Sequence, residues 1–271
     1  MDLHYRRLGN GSPLIILHGL YGSSDNWITV GRSLSHSFEV FLVDQRNHGD
    51  SPHSREHNYM LLKNDLLDFM DNHNIKKAIL LGHSMGGKTA MFFAADYPER
   101  LSSLIIVDIA PVSYRSLREP MSQITVHMNI ISSMMAVDFT RVKSRSDVES
   151  QLSGGIPSEK IRRFLLKNVA RKNEGVYDWK LNIRTLFNNL PEVMDGPDLR
   201  RFSRGNGIKG FPVLFIKGEK SDYISESDHS AINTIFPEAE IVTIPGAGHW
   251  LHAEQPEVFI QIVSSFLDRS K

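Results

Sequence analysis

Residues 80–89 read LLGHSMGGKT and carry the most specific pattern in the chain. They overlap the apolar run of residues 78–81, long enough for a buried strand, and precede residues 89–97, which we expect to form a helix that ends before Pro98. Gly82 and Gly86 lie two residues either side of Ser84, as in a strained strand-to-helix turn where neighbouring backbone leaves no room for a Cβ. Such a turn would expose the Ser84 hydroxyl as a nucleophile.

The same segment also matches a phosphate-binding loop. Residues 82–89 fit G-x-x-x-x-G-K-T in the strand–loop–helix context that this motif requires. Residues 104–108, LIIVD, resemble a strand that ends in a magnesium-binding Asp. Taken alone, the segment supports both interpretations about equally, so other parts of the chain must distinguish them.

Composition limits the classes of function. The 271 residues suffice for one large α/β domain with an insertion, or for two small domains. Acidic and basic residues balance at 31 each, which gives no reason to expect a nucleic acid or an anionic membrane as partner. Cysteine is absent, which excludes disulfides, thiolate metal sites and a cysteine nucleophile. Without a signal peptide or an apolar run of about 18 residues, we expect a soluble cytoplasmic protein.

Apolar runs alternate with helical patterns, which predicts a mostly parallel central sheet flanked by helices. The predicted strands are residues 3–8, 14–17, 40–43, 78–81, 104–107, 211–217 and 240–244, and the predicted helices include residues 59–72, 226–236 and 256–267. Sites in such sheets lie beyond the carboxyl ends of the strands. His18, Asp44, Ser84 and Asp108 all follow such ends.

The pattern changes in the middle of the chain. Residues 112–204 show helical patterns without a convincing buried strand, and we expect them to form a helical lid inserted into an α/β core of residues 1–111 and 205–271. Methionines in this segment could line an acyl pocket or simply pack the lid onto the sheet; they are Met121, Met128, Met134 and Met135.

Two glycine-containing loops favour the nucleophile over the phosphate loop. The segment HGLYG at residues 18–22 could donate backbone N–H groups to an oxyanion, although an ordinary glycine turn fits it as well. His249 lies between Gly248 and Trp250 after the last strand, where it could act as a general base. A phosphate loop needs neither segment, and the order Ser, acid, His is that of α/β-hydrolases.

Other charged groups have less specific patterns. Asp44 and Arg46 are expected to tie their loop by ion pairing and hydrogen bonds. His48, His53 and His57 could bind a metal, but we favour solvated loop histidines and expect no metal or cofactor. Lys88 is expected to be helical and structural, His83 to pack near the turn, and His229 and His252 to be structural or exposed.

Together the motifs resemble the α/β-hydrolases over nearly the whole chain. More narrowly, the chain is similar to the YbfF-type acyl esterases and thioesterases, whose animal members belong to the α/β-hydrolase-domain group. The matching segments are residues 18–22, 44–49, 82–88, 108–112 and 246–250. The resemblance implies hydrolysis of short- to medium-chain acyl esters or thioesters, with acyl-CoA among the candidates.

The acid partner of the histidine has two candidates. Most α/β-hydrolases place it three residues after the glycine that ends the penultimate strand, which is Ser221 here, with Asp222 next. The resemblance to the YbfF-type family implies Asp108 instead, with Ser221 assisting the histidine. The chain departs from those relatives at residues 219–220, Glu-Lys, and at Asp222, which we expect to face solvent.

The resulting hypothesis is a serine hydrolase. Ser84 attacks the acyl carbonyl, His249 transfers the proton and Asp108 orients His249, while the N–H groups of Leu20 and Met85 bind the oxyanion. We also expect His18, Tyr21 and Trp250 to contact a small-molecule substrate. The alternatives are a C–C hydrolase or lyase with the same triad, a catalytically silent ligand-binding fold, and a nucleotide hydrolase. The sequence leaves the oligomeric state open.

Overall fold

All seven predicted apolar runs pair into one sheet. A computed structural model of the chain describes residues 1–116, 122–172, 175–205 and 207–269, without the side chains of 203–205. The strands are β1 (Tyr5–Leu8), β2 (Ser12–Leu17), β3 (Phe38–Val43), β4 (Ala78–His83), β5 (Leu101–Val107), β6 (Val169–Arg171), β7 (Tyr177–Trp179), β8 (Val213–Gly218) and β9 (Glu240–Ile244). The sheet order is β1-β3-β2-β4-β5-β8-β9, and only β1 runs antiparallel to its neighbour.

The register of the central strands sets the position of the site. Leu17 at the end of β2 pairs with Gly82 of β4, and His83 pairs with Val107 at the end of β5. The residues that follow these strands therefore emerge at one edge of the sheet, as the crossover geometry of a parallel sheet requires.

Helices cover both faces of the sheet, and for this reason the central strands are continuously apolar. The core helices are α1 (Ile28–Leu34), α2 (Tyr59–Asn72), α3 (Met85–Asp96), α9 (His229–Ile235), α10 (Leu251–Glu254) and α11 (Pro256–Arg269). Successive strand residues point to opposite faces: Ile15 packs in the core under α2 and α3, whereas Leu14 and Ile16 pack under α1 and α11. Helix α1 was not predicted from the sequence.

Helix α3 begins earlier than predicted. It starts at Met85, directly after Ser84, and not at Thr89. Glycine is a poor helix former, so Gly86 and Gly87 obscured the first turn in the sequence. Close packing requires a glycine at position 86, because a Cβ there would overlap the main-chain carbonyl of Leu17.

The segment between β5 and β8 folds over this edge of the sheet. Its helices are α4 (Gln123–Met135), α5 (Arg145–Ser153), α6 (Glu159–Leu166), α7 (Ile183–Asn188) and α8 (Leu190–Val193). The expectation of a strandless segment was wrong, since β6 and β7 form an antiparallel hairpin. Each strand is only three residues long, too short to give a sequence pattern, and Val169 and Trp179 anchor the hairpin by burial in the apolar core of the segment.

Lys88 joins the two ends of the inserted segment to helix α3. Its ammonium donates to the carbonyl oxygens of Val112 at 2.9 Å, Met194 at 3.4 Å and Asp195, and its side chain is buried. Lys88 is therefore helical and structural, as predicted. A search of the four described ranges finds no helix with the length and apolar character needed to cross a membrane.

Candidate active site

Ser84 occupies a strained turn between β4 and α3. Its φ of 52° and ψ of −117° lie outside the regions that residues with a side chain normally adopt. A Cβ on Gly82 would overlap the carbonyl group of Gly86 across the turn, so glycine is required there. The predicted strained strand-to-helix turn is thus present, with Ser84 at the head of a helix.

Asp108 is the carboxylate that contacts His249. Its Oδ2 lies 2.8 Å from His249 Nδ1, and its Oδ1 accepts a hydrogen bond of 2.9 Å from the main-chain N–H of Gly218. Because a carboxylate only accepts, Nδ1 carries the proton and Nε2 has the free lone pair. The Asp108 side chain is fully buried, whereas Asp222 is exposed, as expected.

The Ser221 hydroxyl hydrogen-bonds to the Asp108 carboxylate rather than to the His249 imidazole. It donates to Oδ2 of Asp108, the same oxygen that contacts His249. The resemblance had implied that this serine assists His249, and the structure assigns its hydrogen bond to Asp108.

Two aromatic contacts hold the His249 ring. Tyr223 stacks on it with ring centroids 4.0 Å apart. The buried His83 ring has its centroid 4.6 Å from that of His249, and its Nε2 hydrogen-bonds to the His249 carbonyl oxygen at 2.8 Å. Burial, followed by the proximity of His249, lowers the pKa of His83 well below its ordinary range, so His83 is neutral and donates Nε2–H. The prediction that His83 packs beside the turn is confirmed.

The loop of residues 18–22 lies against the nucleophile. A Cβ built on Gly19 would be 3.1 Å from the Ser84 Cβ, so the Gly19–Leu20 peptide is adjacent to the Ser84 side chain. Met85 is the first residue of α3, and its N–H belongs to the helix terminus, where N–H groups have no partner within the helix. Both residues predicted to bind an oxyanion therefore border Ser84.

A cavity of about 180 Å³ opens onto Ser84 and His249. Its walls from the inserted segment are mainly apolar and comprise Val126, Ile130, Ile161, Phe164 and Leu165. His18, Tyr21 and Trp250, which we predicted to contact substrate, also line it. Of the two roles considered for the methionines of this segment, packing fits Met134, which is buried in a cluster with residues of the α/β core. Met128 and Met135 are exposed, none of these three lines the cavity, and Met121 lies outside the described residues.

Several residues of the cavity wall were not predicted from the sequence. His127 on α4 lies 2.9 Å through Nε2 from the Tyr223 hydroxyl, and both residues line the cavity. His252 also lines it and stacks on Trp27 with centroids 4.1 Å apart. These contacts join distant parts of the chain, and no local pattern marks them.

Two of the three loop histidines are buried, contrary to our expectation of solvated side chains. His48 and His57 have no exposed surface, and His53 is exposed. Burial lowers the pKa of His57 to about 3. This burial could not be inferred from the polar local sequence, because some of the neighbours are distant in the chain: His57 contacts Met85 of α3, and His48 contacts Tyr21.

Hydrogen bonds and an ion pair stabilise the loop that contains His48, as predicted. Asp44 accepts main-chain hydrogen bonds from Ser24 at 2.6 Å and Asp50 at 3.0 Å. Arg46 forms a buried bidentate ion pair with Asp65, with one contact at 2.8 Å. These residues support the loop and do not line the cavity.

The phosphate-loop alternative does not fit the structure. The Lys88 ammonium is buried against main-chain carbonyls at the ends of the inserted segment, and the Asp108 carboxylate is paired with His249. A phosphate loop needs the lysine to reach the β- and γ-phosphates and the aspartate to face a magnesium ion. Both side chains are committed to other partners.

Comparisons with known proteins agree with this geometry. A family model described as the alpha/beta hydrolase fold matches residues 12–256. The sn-1-specific diacylglycerol lipase ABHD11 of Mus musculus is 37% identical over 98% of this chain and 85% of its own length. Esterase YbfF of Escherichia coli is 33% identical over 96% of this chain and 94% of its own. A solved structure titled marine microorganism esterase superposes with a TM-score of 0.90 at 45% identity, covering 98% of this chain and 99% of that one. The chain therefore belongs to the α/β-hydrolase superfamily and, within it, to the YbfF-like group.

Proposed function

We propose that the protein is a serine hydrolase that cleaves carboxylic ester bonds through an acyl-enzyme. The observation that carries the proposal is the contact of 2.8 Å between His249 Nδ1 and Asp108, with His249 and the strained Ser84 lining one cavity. The names of the relatives, an esterase and a diacylglycerol lipase, support ester hydrolysis.

In the proposed reaction Ser84 attacks the substrate carbonyl while His249 Nε2 accepts the hydroxyl proton. Asp108 keeps His249 in the Nδ1–H tautomer and stabilises the imidazolium ion. The N–H groups of Leu20 and Met85 donate to the oxyanion, and His249 then protonates the leaving alcohol. Water, activated by the same imidazole, hydrolyses the acyl-enzyme and releases the acid.

The cavity supports a short acyl group. Its volume of about 180 Å³ is near that of an engineered apolar cavity of about 150 Å³ that binds benzene. Its apolar walls favour a hydrocarbon acyl chain, and the proposed substrates are small acyl esters. The same acyl-enzyme chemistry would cleave thioesters, including acyl-CoA, because a thiolate is the better leaving group.

We further propose that residues 112–204 act as a lid over the site. Helices α4 and α6 supply apolar walls of the cavity, and Lys88 hydrogen-bonds to the start of the segment at Val112 and to the residues after α8, Met194 and Asp195. A lid of this kind would exclude water from the acyl group while the ester bond is attacked.

A chain-length series tests the function. Wild type and Ser84→Ala would be assayed on p-nitrophenyl esters from acetate to decanoate and on the matching acyl-CoA thioesters. Steady hydrolysis of the short esters by the wild type, with a loss of about a thousandfold or more in the variant, supports the proposal. Equal rates for the two proteins, or no turnover of any ester, would contradict it; turnover of esters but not thioesters restricts the substrate class.

A further inference from the structure

The orientation of the Leu20 N–H is linked to that of the Gly19 carbonyl. Both groups belong to one peptide unit, which is planar and trans, so they point in opposite directions. A group that fixes the Gly19 carbonyl oxygen therefore also fixes the Leu20 N–H, which points to the opposite side of the peptide. The neighbouring Tyr21 has a φ of 62°, a left-handed conformation that a residue of this size rarely adopts. The loop of residues 18–22 therefore needs hydrogen-bond partners that stabilise this conformation.

His18 holds the carbonyl side of this peptide. Its Nδ1 lies 2.8 Å from the Gly19 oxygen, which also accepts a hydrogen bond of 2.9 Å from the Gly22 N–H. Its Nε2 accepts a hydrogen bond of 3.0 Å from the Gln45 N–H. Because a carbonyl only accepts and an amide N–H only donates, His18 must be neutral with its proton on Nδ1.

His48 holds the next peptide in the same way. The Tyr21 N–H donates to His48 Nε2 at 3.3 Å, while His48 Nδ1 donates to the Arg46 carbonyl oxygen at 2.9 Å. This partner set again requires a neutral ring with the proton on Nδ1. The two rings are neighbours, with centroids 5.0 Å apart, and both are buried. Burial lowers the pKa of each imidazole, which keeps both rings neutral.

We propose that His48 and His18 are positioning residues that together aim the Leu20 N–H at the oxyanion, since both ring nitrogens of each are bonded to protein groups. This inference rests on the proposed serine hydrolase function. His48 fixes the peptide after Leu20, and His18 fixes the carbonyl of the peptide that contains the Leu20 N–H. An apolar side chain of similar size could fill the space of His48. It could not take over the proposed role, because that role needs an unprotonated Nε2 that accepts a hydrogen bond.

The test compares His48→Leu with His48→Gln. Glutamine can place its amide oxygen near the position of Nε2 and accept from the Tyr21 N–H, whereas leucine cannot. We expect His48→Leu to lower kcat by about 10- to 100-fold on a short activated ester, because misplacing one oxyanion donor costs that much. KM should stay within about twofold. Affinity for a trifluoromethyl ketone, which forms a tetrahedral adduct on Ser84, should fall in proportion to kcat. His48→Gln should recover much of both losses.

A matched control is His73→Leu, which removes a partly buried imidazole bonded to the Phe69 carbonyl on α2, outside the cavity lining. It should keep wild-type kcat. A wild-type kcat in His48→Leu, a loss confined to KM, or equal losses in the leucine and glutamine variants would overturn the inference. If His48→Leu does not fold, His48→Phe replaces it as the acceptor-free variant.

An independent readout needs no variant kinetics. Nitrogen-15 NMR of the imidazoles of the wild-type protein should show His48 with a protonated Nδ1 and an unprotonated Nε2 at pH 7. A protonated Nε2 would overturn the inference. Absence of esterase activity in the wild type would instead contradict the proposed function, and this separates the two failures.

Discussion

Asp108 Oδ2 lies 2.8 Å from His249 Nδ1, across 141 positions of sequence, at the edge where β5 and the loop after β9 meet. The Asp108 side chain is fully buried, and the Gly218 N–H and the Ser221 hydroxyl complete its hydrogen bonds. A buried carboxylate with these partners holds one imidazole tautomer without solvent competition.

This relationship predicts different effects for two aspartate variants. Asp108→Asn should lower kcat by about 10⁴-fold, because an amide no longer enforces the Nδ1–H tautomer. Asp222→Asn should stay within about twofold of the wild type, because Asp222 is exposed and outside the cavity lining. Both would be assayed on one activated ester. A large loss of kcat in Asp222→Asn, together with a near-wild-type kcat in Asp108→Asn, would contradict the assignment of Asp108 as the acid partner of His249.

The cavity wall predicts the preferred acyl length. Phe164→Ala should raise the activity ratio of octanoate to acetate esters by about tenfold or more, because each further methylene that finds apolar space adds about 0.8 kcal/mol. Val258→Ala, on the outer face of α11, serves as control. The measurement is kcat/KM over the ester series, and an unchanged ratio in Phe164→Ala would show that the acyl chain does not occupy this end of the cavity.

His252 predicts a loss of stability in acid. Burial, with a further effect of His249, lowers its pKa to about 3, whereas an unfolded histidine titrates near 6.5. Below pH 6.5 the unfolded chain therefore binds a proton that the folded chain does not, and the free energy of unfolding falls as the pH drops towards 3. His252→Phe should keep the stack on Trp27. Between pH 8 and 5 it should lose about 2 kcal/mol less stability than the wild type in urea unfolding. Equal losses of unfolding free energy in the wild type and in His252→Phe would contradict the prediction.

Lys88 predicts a trend of the same sign at alkaline pH. Burial lowers its pKa to about 7, partly offset by Asp195, against about 10.4 in an unfolded chain. Between these values the unfolded chain binds more protons, so the stability of the wild type should rise with pH relative to Lys88→Met. From pH 7 to 9 the relative gain should be about 2 kcal/mol by urea unfolding at both pH values. A constant difference between the two proteins would mean that Lys88 keeps an ordinary pKa in the folded state.

The sheet could be predicted from the sequence because both of its faces are covered. Runs such as residues 14–17 and 104–107 are continuously apolar, and the structure pairs both in the centre of the sheet. The start of α3 could not be predicted, because Gly86 allows the close approach of β2 and Gly87 that of Ile106 and Ile109, and glycine is a poor helix former.

The candidate site was predictable only where its residues lie in local motifs. Ser84 and His249 follow strands in glycine-containing segments, whereas the choice of Asp108 came from resemblance to a family. The contact between His127 and Tyr223 joins residues 96 positions apart, and the burial of His48 depends on elements from elsewhere in the chain. Long-range packing of this kind has no signature in the local sequence.

The most direct test of the central claim is the reactivity of Ser84. The wild type and Ser84→Ala would be treated with a fluorophosphonate and their intact masses recorded. We expect one adduct on the wild type and none on the variant, because only an activated serine displaces fluoride at a useful rate. Equal labelling of both proteins, or an unlabelled wild type, would contradict an activated Ser84.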